Sequence, residues 1–282
     1  MKYFFFVLVF CSTAWPQTKT GSVAVYFSSQ NQIAMAADSR AVFNDKRGHD
    51  DTDCKIRAFG SEFFVVITGF ASHGKDAFAP SWSGYKDARN AWLTATHLKG
   101  GLSARRLVDT VAEEWATAME TENHLKTPAA IDAIRLTEFG GGSVVVSAFF
   151  GATDKDGELV AATTDISVDL PLFDKRHEVK LSHVTKDVPL GNMGVLGFPE
   201  IVTEFHFQTT DRARKLMSRY LRKISRLTPE AQNAAQAAKL VELSIELHPR
   251  KEFLAKPVDE LQLVRGKGIN WLARKPGCKN QE

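Results

Sequence analysis

Gly21-Ser22-Val23-Ala24-Val25-Tyr26-Phe27, then the polar Ser28-Ser29-Gln30-Asn31-Gln32, then Ile33-Ala34-Met35-Ala36-Ala37 stopping at Asp38-Ser39-Arg40, is the stretch on which the fold turns. Two apolar runs of strand length flank one polar turn, which predicts a β-hairpin ending at Asp38. A second hairpin follows in Cys54-Lys55-Ile56-Arg57-Ala58-Phe59, a turn at Gly60-Ser61-Glu62, and Phe63-Phe64-Val65-Val66-Ile67-Thr68 closed by Gly69. A third joins Ser143–Gly151 to Glu158–Thr164 through the Asp154-Lys155-Asp156-Gly157 turn, and the last joins Val258–Val264 to Gly268–Leu272. Helical spacing appears between them. Leu107, Val111, Trp115 and Met119 recur after a cap at Ser103, and helices are predicted over Asp211–Arg226 and over Pro229–Leu247, the latter with Thr228 as N-cap and Pro229 at the first helical position. Hairpins segregated from helices predict antiparallel sheets covered by helices, an α+β layered fold. Residues 71–101, with Gly74, Pro80, Gly84 and Gly100-Gly101, show no clear period and read as a loop-rich insertion. Its Trp82, Tyr85 and Trp92 read either as buried anchors or as the cover of a groove.

Composition narrows the class. The chain has 282 residues, 44% hydrophobic and 24% charged, which excludes a collagen-like, disulfide-dense or largely disordered protein. A net charge of +3 from 36 basic and 33 acidic residues is too small an electrostatic footprint for nucleic acid, so no nucleic-acid partner is expected. No CxxC, HExxH or clustered His occurs, and no motif requires a metal or cofactor.

Met1-Lys2 and the apolar Tyr3–Phe10, followed by Cys11-Ser12-Thr13-Ala14, have the order of a secretory signal peptide, with a cut expected ahead of Trp15. Polar Ser12, Thr13 and Gln17 interrupt the run too early for a stable membrane span, which needs about 20 apolar residues. The expected organisation is therefore a signal peptide over 1–14, a propeptide stub over 15–19 and a single domain over 20–276, in a periplasmic or secreted protein. Such a chain keeps Cys54 and Cys278 in a compartment that oxidises thiols, and sequence leaves open whether they pair.

The opening hairpin, Ala36-Ala37-Asp38-Ser39-Arg40-Ala41, then Cys54-Lys55-Ile56 and Thr68-Gly69, resembles the start of proteasome β-type subunits and their bacterial relatives, the N-terminal nucleophile (Ntn) hydrolases. Val144–Thr164 and Pro257–Leu272 resemble more weakly that family's central and closing hairpins. The resemblance implies a four-layer αββα sandwich, two antiparallel sheets covered by helix pairs. It also implies an exported hydrolase that cuts a peptide or another amide with an N-terminal Thr, and a homo-oligomer. Its chemistry needs a hydroxyl as nucleophile and a free α-amine, with pKa near 8, as base. A Lys beside the hydroxyl stabilises developing charge, an Asp orients the Lys, and a Gly N–H holds the oxyanion. Carried over, these roles fall on Thr20, Lys55, Asp38 and Gly69. Thr20 takes the nucleophile position when the Ser28–Gln32 turn is counted as two residues longer than usual; without that gap the count lands on Ser22.

Departures keep other readings open. Lys19 and Gly21 flank Thr20 where active family members have Gly and often Thr, and the segment expected to bring a supporting Ser falls near Leu196-Gly197-Phe198, which has none. The later supporting Asp has no match before Pro257, where His248–Glu252 is the nearest polar stretch. On the residues alone, Asp38 also reads as a turn residue, Lys55 as an exposed strand lysine, Gly69 as a strand-ending glycine and Thr20 as a surface threonine. The alternatives to a peptidase are a non-catalytic binding or structural relative, and an amidase acting on a small-molecule or cell-wall amide.

Overall fold

The computed structural model describes residues 22–42, 49–50, 54–69, 72–73, 82–97, 102–121, 143–169, 180–197, 199–249 and 254–278. The expected signal peptide, the stub and Thr20 lie outside the described residues. The first sheet sets β12 (Met193–Gly197), β1 (Val23–Ser28), β2 (Gln32–Ala37), β13 (Asp259–Val264) and β14 (Gly268–Ala273) side by side in that order. The second sets β11 (Lys180–Asp187), β10 (Leu159–Asp169), β9 (Ser143–Thr153), β6 (Phe63–Gly69) and β5 (Ile56–Phe59). Neighbouring strands are antiparallel throughout both sheets. Two short pairs, β3 (Ala41–Val42) with β4 (His49–Asp50) and β7 (Ser72–His73) with β8 (Trp82–Ser83), complete the described strands.

Successive side chains of a strand point to opposite faces, and here both faces are buried. Ala24, Ile33, Met35, Leu261 and Leu263 of the first sheet meet Phe64, Val66, Phe149, Leu159 and Ala161 of the second in one shared core. The alternate residues Phe63, Val65, Ile67, Ala148 and Phe150 pack on α1 (Gly84–His97) and α2 (Ala104–Thr121), with Trp115 fully buried. Val23, Val25 and Phe27 pack on α3 (Glu200–His206), α4 (Asp211–Ile224) and α5 (Pro229–Leu247). Burial on two faces is why the hairpin strands read as continuous apolar runs.

The expected four-layer sandwich with a helix pair over each sheet is corrected by these elements. Among the described residues, two five-stranded antiparallel sheets pack with five helices as a mixed α+β fold. The helices do not divide into two covering pairs, because three of them follow one another over the first sheet's outer side. The unforeseen one, α3, spans only two turns, too few for a helical period to show in sequence. A second difference lies within residues 71–101, where Gly84–His97 is helical. Its buried side is built from Gly84, Tyr85, Ala88, Ala91 and Ala95, whose small side chains leave little hydrophobic contrast to detect. Thr228 caps α5, its Oγ1 accepting the Ala231 N–H at 3.3 Å, and Pro229 opens the helix. At the N-terminus of α2 the Ser103 Oγ accepts the Arg106 N–H at 3.4 Å, the expected cap, and Asp154 and Glu158 of the β9–β10 turn add to it by accepting the N–H groups of Ala104 and Arg105 at 3.1 and 3.0 Å. Among the described residues no helix is long and apolar enough to cross a membrane.

Candidate functional site

Strand pairing delivers Asp38. The β1–β2 register sets Ala24 opposite Ala37, so Val23 faces Asp38, and the two exchange bonds: the Val23 N–H donates to Oδ1 at 2.9 Å and the Asp38 N–H donates to the Val23 carbonyl at 3.1 Å. The other carboxylate oxygen accepts the Arg40 N–H at 3.0 Å. Asp38 is fully buried, and burial pushes its carboxyl up to about 6, against the opposing pull of Lys55, the two N–H groups and Lys275. A residue held this way is more than a turn former.

Lys55 is buried, not the exposed strand lysine that its sequence context also allowed. Its backbone is held by Tyr85, whose hydroxyl donates to the Lys55 carbonyl at 2.7 Å and accepts the Ile67 N–H at 3.1 Å. The Tyr85 ring lies under the Arg57 guanidinium, 4.3 Å from its centroid. Of the two sequence readings of Tyr85, the buried anchor is therefore the observed one, and its role in fixing Lys55 carries no local sequence signal. Cys54, just before Lys55, is bonded to Cys278, with the Cα atoms 5.7 Å apart. That settles the pairing left open by sequence.

Gly69 ends β6 at φ +89°, and a Cβ there would stand 2.3 Å from the Val145 carbonyl oxygen, so only glycine fits. It lines a cleft of about 540 Å³ between the two sheets, together with Ser22, Thr68, Ser147, Asp165 and Gly197. Ser22 is the first described residue and is buried against the end of β12, where Gly197 pairs with Val23. At Gly197, also at positive φ, a Cβ would lie 1.8 Å from the Ser22 carbonyl oxygen, so glycine lets β12 press on this backbone. The Leu196-Gly197 segment adjoins Ser22 and has no serine of its own; Phe198 lies outside the described residues.

No protein-family model matches the chain, and no curated protein matches it in sequence. The site is accordingly read from its own geometry. Asp165 Oδ1 accepts the Ser147 hydroxyl at 2.6 Å on the cleft wall, and Glu200 lines the same space from the start of α3. Among the described lining residues there are two carboxylates and no cation. Among the described residues no three His, Cys, Asp or Glu side chains gather as a metal site.

Sequence reading missed a second buried ion pair. Asp259 opens β13 opposite Ala37, one residue from Asp38, and its carboxylate takes the Lys275 Nζ at 2.8 Å and the Lys275 N–H at 3.0 Å. Burial holds the Asp259 carboxyl above its ordinary value despite Lys275. Asp259 lies two residues past Pro257, outside the stretch in which the resemblance places a later carboxylate. His248, which opens the polar stretch before Pro257, is buried at the end of α5, and residues 250–253 lie outside the described residues. Asp38 and Lys55 are thus brought within electrostatic range of each other, while Gly69 and Ser22 share the cleft. Ser22 thus lies on the cleft, and the residue after it, Val23, is bonded to the buried Asp38.

Proposed function

We propose that this protein is an exported amide hydrolase, as its resemblance to Ntn hydrolases implies, and that Ser22 is the attacking hydroxyl. The observation carrying this reading is the 2.9 Å bond from the Val23 N–H to Asp38. It ties the carboxylate that faces Lys55 to the residue next to Ser22, while Ser22 and Gly69 line one cleft. Thr20, the nucleophile implied by resemblance, lies outside the described residues. Cleavage after Gly21 frees the Ser22 α-amine. Ser22 Oγ then attacks the substrate carbonyl and passes its proton to that amine. The carbonyl C–N bond breaks, the leaving amine takes the proton, and water hydrolyses the resulting ester to regenerate Ser22. Lys55, oriented by Asp38, stabilises the developing negative charge, and the Gly69 N–H holds the oxyanion. Asp165 and Glu200 favour a substrate carrying a cationic group beside the cleaved amide. The Cys54–Cys278 bond supports an oxidising compartment.

Intact mass and N-terminal sequencing of the mature protein test this reading. A terminus at Ser22 with hydrolysis abolished in Ser22→Ala is the expected result, and a terminus at Thr20 moves the role to Thr20. A terminus at Trp15 with no further trimming overturns the hydrolase and leaves the cleft as the binding site of a non-catalytic relative.

A further inference from the structure

Four ionisable side chains are buried together where β2 ends and β5 and β13 begin: Asp38 and Asp259 at 0% exposure, Lys275 at 4% and Lys55 at 5%. Burying an ion costs several kcal/mol even after relaxation, and one Asp–Lys pair is all that the hydrolysis described above uses. The second pair is placed with care. Lys275 grips both oxygens of Asp259, one through Nζ and one through its main-chain N–H. Its neighbour Arg274 donates to the Cys278 carbonyl at 2.6 Å and stacks 4.4 Å from the Trp271 ring centroid. Cys278 is bonded to Cys54, whose neighbour is Lys55. The tail over residues 274–278 therefore runs from the end of β14 to the disulfide partner of the residue before Lys55, and carries Lys275.

We propose that Lys275 is a positioning residue for Asp38, a second cation that the disulfide-anchored tail holds beside the carboxylate so that Asp38 stays ionised and keeps its grip on Lys55. Asp38 accepts the N–H of Val23 from β1 and the N–H of Arg40 past β2, and Lys55 ahead of β5 and Lys275 past β14 lie within electrostatic range of it, with Asp259 of β13 one strand position away. Lys275 also neutralises Asp259, which would otherwise stand charged one strand position away. Without Lys275, Asp38 takes up its proton at a higher pH and Lys55 loses an ionised partner. This role rests on the hydrolase reading, but the charge arrangement beneath it does not.

The test follows the Asp38 carboxyl by carbon-13 NMR in the mature protein, with Asp38→Asn to assign the resonance, alongside the acid limb of hydrolysis of an amide substrate bearing a lysine. Lys275→Met is expected to move the Asp38 titration up by about one pH unit and the acid limb with it. Lys275→Arg is expected to leave both near their original place. Lys275→Met strands Asp259, so Asp259→Asn/Lys275→Met is the variant without an unpaired charge, and it is expected to raise the Asp38 titration by less than Lys275→Met does, because the Asp259 charge is removed with the Lys275 charge. An Asp38 titration unmoved in either Met variant, with only the melting temperature lowered, overturns the proposal and leaves a structural ion pair. If the Asp38 titration moves while no protein hydrolyses any substrate, the positioning stands and the hydrolase reading falls.

Discussion

Each oxygen of Asp38 accepts one main-chain N–H, and the carboxyl is nevertheless pushed up to about 6 because burial outweighs those bonds and both lysines. The sign of the consequence follows. A carboxyl whose folded pKa exceeds its unfolded value near 3.8 binds its proton more tightly when folded, so its contribution to stability is complete below about pH 4 and is lost as pH rises through about 6. Between about pH 4.5 and about pH 7.5 the protein is expected to lose about 2 kcal/mol that Asp38→Asn does not lose, read from urea melts at the two ends. Hydrolysis should run the other way, falling in acid with a limb near 6, and should be lost in Asp38→Asn. At this scale sequence was informative about residue type. The resemblance to Ntn hydrolases is what points to Asp38, Lys55 and Gly69, since on the residues alone they read as a turn residue, an exposed strand lysine and a strand-ending glycine. It does not point to Asp259 and Lys275, and an Asp after Val258 and a Lys before Pro276 are ordinary until the fold buries them.

The strands explain which side chains reach the cleft. In the β9–β10 pairing Ser147 stands opposite Asp165, and the hydroxyl donates to that carboxylate on the wall that faces Ser22. Asp165→Asn is therefore expected to lower kcat/KM for lysine-bearing amides roughly tenfold, with little change for uncharged ones, the size of a half-exposed ion contact. Equal loss on both substrates would remove the electrostatic preference. The hairpins and the three longer predicted helices were legible because period, cap and turn residues agreed. The helix over Gly84–His97 was hidden by its alanines, α3 by its brevity, and β11 by its setting, an exposed sheet edge with the mixed sequence Lys-Leu-Ser-His-Val-Thr-Lys-Asp. None of these has the apolar contrast on which a sequence reading depends.

Across the whole molecule, the Cys54–Cys278 bond joins residues 224 apart and closes nearly the entire described chain into a loop. In the chain-entropy account such a loop stabilises by roughly 5 kcal/mol, so Cys54→Ser/Cys278→Ser is expected to lower the unfolding free energy by about that much in urea melts. It should also loosen the tail that carries Lys275. Amino-acid order alone determined the hairpins, the principal helices and the α+β class, since these follow from local periodicity and turn chemistry. Tertiary structure decided how the helices are shared between the sheets, because layer arrangement depends on which faces meet and not on any one segment's pattern. It decided the disulfide, as only the folded chain brings the Cα atoms of Cys54 and Cys278 to 5.7 Å. It also set the second ion pair beside Asp38, because two charges 16 residues apart become partners only where β13 and the tail past β14 are buried together.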